Sequence, residues 1–78
     1  MAEAMTRDEH LEWAKARALE YLDAGDYSNA FTSMLSDLRK HPELENHAGI
    51  EIGVMMAVGL QGWIQNTQEL RRWITGFN

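Results

Sequence analysis

The side chains that could do chemistry here are three histidines, 12 carboxylates, seven bases and a few hydroxyls. The histidines are His10, His41 and His47. None forms an H-x-x-x-H or H-E-x-x-H pair, and with no cysteine there is no thiolate ligand either. His41 and His47 bracket Glu43 and Glu45, a conceivable nitrogen and oxygen ligand set, but the ligand spacing of a metal site is missing and the segment reads as a solvated loop. Asp8, Glu9 and Glu12 crowd the start of a helix, where the positive end of the helix dipole accounts for acids. Ser28, Ser33 and Ser36 lack a glycine elbow and a nearby base, and no glycine-rich loop precedes a lysine and a hydroxyl residue. A thin helical chain of 78 residues would also struggle to enclose a pocket of about 300 Å³ and keep a core. The expectation is a protein that is not an enzyme, with no catalytic residue, no cofactor and no metal.

Arg71 and Arg72 beside Trp73 suggest a nucleic-acid contact, but a net charge of −5 makes the electrostatic footprint weak. No nucleic-acid partner is expected, and the 12 acids are too scattered for a mimic of DNA. Glu51 is the acid with a less obvious role, since it interrupts an apolar helix. It points to water, pairs with Arg71 or Arg72, or marks a partner site; an unpaired acid in the interior would be costly.

The elements that position these groups are helical. Thr6 and Glu9 have the spacing of a capping box, in which each side chain takes a backbone N–H left free at the helix start. Leu11, Ala14, Ala18, Tyr21 and Leu22 then recur at helical spacing until Gly25, which predicts a helix over 7–24. Asp26 caps a second helix over 27–40, whose apolar face is Ala30, Phe31, Met34, Leu35 and Leu38. Pro42 stops it. The short turn between them implies an antiparallel hairpin.

A third helix over 47–60 follows from Asn46 as cap. Ile50, Ile52, Val54, Met55, Met56, Ala57, Val58 and Leu60 leave it no broad polar face. Such a helix is buried centrally, or is covered on one side by a second chain; a central helix that leaves an apolar patch for docking is expected here. Gly49 and Gly53, four apart, would let another backbone approach. Asn66 and Glu69 open a last helix over 67–75, with Leu70, Trp73, Ile74 and Phe77 along its apolar edge. The fold class expected is all-α, a bundle of three to four helices forming one domain over 1–78, with 1–5 a flexible N-terminus.

Composition agrees with a globular chain, 45% hydrophobic and 24% charged. The N-terminus lacks an apolar leader, and no apolar run approaches the roughly 20 residues of a membrane span, so a cytoplasmic protein without membrane association is expected. Below roughly 70–80 residues a lone core rarely supplies more than about 3–5 kcal/mol. Three tryptophans, two phenylalanines and five methionines are therefore many to hide, and these types are enriched where proteins bind proteins. Glu51, Met55, Met56, Trp63, Trp73 and Phe77 are the candidate partner-binding residues. The seven acids among residues 1–26, against three bases there, give the first helix an acidic surface that could steer an encounter.

The first hairpin resembles a single tetratricopeptide-repeat unit. Ala18 and Tyr21 stand at its small and aromatic positions, Gly25, Asp26 and Tyr27 at its turn, Ala30 at the small position of its second helix and Pro42 at its end. Ala14, Arg17, Met34 and Asp37 depart from that pattern, and no second unit follows. Over most of its length the chain also resembles small proteins encoded by phages and prophages of actinobacteria, through LDAGDYSNAFTSMLSDLRKHPE at 22–43 and ELRRWITGFN at 69–78. That resemblance implies an accessory protein in a bacterial cytoplasm, binding a host or phage protein. Homodimerisation through the same residues is expected alongside it; a self-assembling virion or assembly component and a small transcriptional regulator are the alternatives.

Overall fold

A computed structural model describes residues 6–60 and 62–78. It contains four helices, α1 (Arg7–Asp23), α2 (Tyr27–Leu38), α3 (Ala48–Gly59) and α4 (Thr67–Thr75), and no strand among the described residues. The protein is all-α. The segment 1–5, expected to be flexible, lies outside the described residues.

Local chemistry explains where each helix starts. The Thr6 hydroxyl accepts from the Glu9 N–H at 3.2 Å, and the Glu9 carboxylate accepts from the Thr6 N–H at 3.0 Å, completing the capping box. Asp26 accepts from the Asn29 N–H at 3.3 Å to cap α2, and Gly25 turns the chain with φ +80°, a conformation that favours glycine. At α4 the Asn66 side chain caps the Glu69 N–H at 3.0 Å, whereas the Glu69 carboxylate turns to Arg72 at 3.4 Å.

Two boundaries differ from expectation. α2 ends at Leu38 and not at Lys40, because the N–H groups of Lys40 and His41 bond back three residues, to Asp37 and Leu38, and tighten the chain ahead of Pro42. The cap of α3 is His47, one residue beyond Asn46: its Nδ1 accepts from the Gly49 N–H at 2.9 Å. With Nδ1 accepting, the neutral imidazole carries its proton on Nε2, which donates to the Asn78 carbonyl at 3.0 Å. The Arg7 guanidinium donates to the same carbonyl, so the chain end joins α1 to the start of α3.

α1 and α2 form the antiparallel hairpin and the most extensive helix pair, and α4 lies across both. Leu11, Ala14, Ala18 and Leu22 of α1 meet Ala30, Met34 and Leu38 of α2, with Leu70 and Ile74 of α4 closing the core. Alanines at the crossing let the two helix backbones come close. Leu44 is fully buried although it stands between exposed Glu43 and Glu45, so the loop after α2 is pinned by a single apolar side chain.

Against expectation, α3 is not central. Ile50 and Gly53 are its buried residues and Met56 and Ala57 are half-buried, which makes one narrow stripe at helical spacing. The physical reason is that the hairpin and α4 complete a core without it, and the aromatic side chains of the last segment fill the space it would have entered.

Candidate docking face

The inner side of α3 is built from glycines facing rings. A Cβ on Gly49 would lie 2.6 Å from the Phe77 ring, and one on Gly53 would lie 2.5 Å from the Trp73 ring. The close approach expected at these glycines is therefore real, but it admits aromatic side chains and not a second backbone. Trp73 donates its indole N–H to the Gly49 carbonyl at 2.9 Å. Phe31, Trp63, Trp73 and Phe77 form a continuous set of ring contacts with centroids 5.1–5.9 Å apart. Such pairs are worth about 0.5–1.5 kcal/mol each beyond area burial.

The outer side of α3 is apolar and open. Val58 is 84% exposed, Met55 70%, and Ile52 and Leu60 52% each, with Val54 beside them. Exposed apolar residues scattered singly are ordinary on a protein surface; here five of them fall within the nine residues 52–60. Open depressions lie at both ends of the helix. One of about 420 Å³ is lined by Glu45, Asn46, His47 and Glu51, among others, and one of about 700 Å³ by Tyr27, Ala57, Leu60 and Trp63.

The six residues singled out from sequence separate into two groups. Met55 and Glu51 are exposed on α3, and Met56 is half-buried there. Trp63 and Phe77 are 5% and 3% exposed and belong to the core, while Trp73 is half-buried as the support beneath α3. The aromatics thus hold the face in place rather than forming it. Ile52, Val54, Val58 and Leu60 were legible as apolar residues of the helix, but their outward direction was not.

Glu51 makes no ion pair with either arginine: Arg71 pairs with Asp23 at 2.7 Å and Arg72 with Glu69. The acids of α1 are likewise engaged in part, with Asp8 meeting Arg7 at 3.1 Å and Glu12 meeting Lys15 at 3.7 Å.

A polar cluster missed by sequence reasoning lies between α1 and α2. Asp37 is 1% exposed. Its carboxylate accepts from Arg17 Nε at 2.8 Å, Lys40 Nζ at 3.2 Å and the Ser33 hydroxyl at 3.2 Å. The buried His10 donates from Nε2 to the Asp37 carbonyl. Arg17 and Lys40 also stand over the Trp13 ring, 5.1 and 5.8 Å from its centroid. The available signal was register: Asp37 falls three residues after Met34 and seven after Ala30, on the buried face of α2. The carboxylate is satisfied by its neighbours and joins the two helices. Among the described residues no three histidine, aspartate or glutamate side chains gather at metal-binding distances, and no helix is long and apolar enough to cross a membrane.

No protein-family model, curated protein or solved structure matches the chain.

Proposed function

We propose that this protein is a non-catalytic binding module that docks another protein on the outer face of α3. One observation carries the reading: Ile52, Val54, Met55 and Val58 of α3 and Leu60 just after it are exposed, while the inner stripe of the helix already has its partners. Apolar surface of this kind gains roughly 25 cal/mol per Å² when a partner removes it from water. Met55 and Met56 add side chains that adapt to the shape of what they meet. Asp37, the most buried acid among the described residues, has donors on both carboxylate oxygens, as expected of a group that fastens helices rather than one that reacts. The resemblance to phage and prophage proteins is the support for a bacterial cell as its setting and a host protein as its partner.

The test compares the wild type with a Met55→Gln/Val58→Gln variant. Glutamine removes apolar surface without adding charge and keeps a good helix propensity. The variant is expected to retain its helical circular dichroism and to lose a stoichiometric complex that the wild type forms in a bacterial extract and holds through gel filtration. A complex retained at full stoichiometry by the variant would refute docking on α3.

A further inference from the structure

We infer that the α3 face takes a basic amphipathic helix of another protein, with apolar residues for the centre and lysines or arginines for the rim. This rests on the docking reading above and names the chemistry of its occupant. Between Lys40 and Arg71 the chain contains no lysine or arginine. The acids of that stretch nearest α3, Glu43, Glu45 and Glu51, are all exposed, and Glu45 and Glu51 line the same depression at its N-terminal end. The N-terminal end of the apolar face is therefore acidic on balance, with Glu45 and Glu51 beside the single base Arg39.

A second copy of the chain is poorly suited to supply the matching cations. Six of its seven bases, Arg7, Lys15, Arg17, Lys40, Arg71 and Arg72, are already in ion pairs with its own acids. Arg39 alone forms none with a described acid, and it lines the depression that holds Glu45 and Glu51. A self-association would thus bring together two chains of net charge −5 with one uncommitted base each. A foreign helix with apolar residues at positions i, i+3, i+4 and i+7 covers the α3 stripe. Flanking bases then meet the acidic end and steer the approach. α3 spans 12 residues, about 18 Å at 1.5 Å per residue, which suits a partner helix of three to four turns.

The experiment uses the full chain and two labelled synthetic peptides that share one leucine stripe, flanked by lysines in the first and by glutamates in the second. Fluorescence anisotropy at low and high salt reads binding, and sedimentation velocity reads the state of the protein alone. The lysine peptide is expected to bind at least about tenfold more tightly than the glutamate peptide at low salt, as two ion pairs gained rather than repelled would give. Met55→Gln/Val58→Gln should remove that binding. Glu45→Lys/Glu51→Lys should reverse the preference, and Glu12→Gln/Glu20→Gln on α1 should leave it unchanged. If Met55→Gln/Val58→Gln loses helicity, the more exposed Val58→Gln alone takes its place.

Equal binding of both peptides that still depends on Val58 would overturn the basic partner and keep the docking face. So would a wild-type dimer that Val58→Gln dissociates. Lysine-peptide binding that ignores Val58 but follows Glu12 and Glu20 would place attraction on α1 and overturn both readings. A monomer that binds neither peptide would overturn the basic partner, and the extract experiment then decides the docking face by itself.

Discussion

The indole N–H of Trp73 donates to the Gly49 carbonyl across 2.9 Å, and the Trp73 ring occupies the space a side chain on Gly53 would need. One residue of α4 thereby fixes both the position and the rotation of α3. Glycine inside a helix costs about 0.5–1 kcal/mol relative to alanine. Here that cost is offset by the ring contacts it permits, and Ile52, Met55 and Val58 are left pointing away.

Gly53→Ala should therefore drive Trp73 and α3 apart and destabilise the protein by about 1–3 kcal/mol, the usual range for overpacking. Gly59 has open space around its missing Cβ and no positive φ, so Gly59→Ala should stabilise by about 0.4–1 kcal/mol. Urea denaturation of the pair reads the contrast, and equal effects would mean that Trp73 does not lie against Gly53.

The two core-facing tryptophans should respond differently to phenylalanine. Trp63 Nε1 is buried without a hydrogen-bond partner, whereas Trp73 Nε1 holds Gly49. Both substitutions remove the same atoms; the cavity cost is larger at the more buried Trp63 but is offset there by removing an unpaired buried N–H. Trp73→Phe should be the more destabilising by about 1–2 kcal/mol. A larger loss at Trp63 in thermal or urea unfolding would show that its indole has found an acceptor.

Removing Asp37 and stranding it are different perturbations. In Asp37→Ala, Arg17 and Lys40 remain roughly half-exposed and stay hydrated, so the loss should be about 1–3 kcal/mol. Arg17→Met/Lys40→Met leaves a buried carboxylate with Ser33 as its remaining side-chain donor and should cost more, about 3–5 kcal/mol. The reverse order in denaturant midpoints would count against a buried ionised Asp37.

Caps give the sharpest test of the helix starts. Thr6→Ala should cost about 1 kcal/mol through α1, and His47→Ala at least as much, because His47 also holds Asn78 and lies 4.9 Å from the Phe77 ring centroid. Asn46→Ala should be nearly neutral. Loss of stability at Asn46 comparable with that at His47 would move the α3 cap back to the residue the pattern first suggests.

What the chain determines by itself is local. Capping residues, glycine turns and a helical apolar period depend on neighbours within four or five positions, and they place four helices to within two residues at either end. They also place a helix without a polar face at Ile50–Leu60, and so the presence of apolar surface needing cover. Which side of that helix meets the core is a different matter. Periodicity cannot orient a helix that is apolar all round, and nothing near Gly49 or Gly53 in sequence says that Phe77 and Trp73 will fill their places. Nor does local pattern show Leu44 reaching the core from a loop, and at Asp37 register gives the buried face of α2 but not Arg17 of α1 as its partner. These depend on contacts between residues 20 or more positions apart. Only tertiary structure supplies them, and it is the reason that Val58 and Met55 are surface while Trp63 and Phe77 are core.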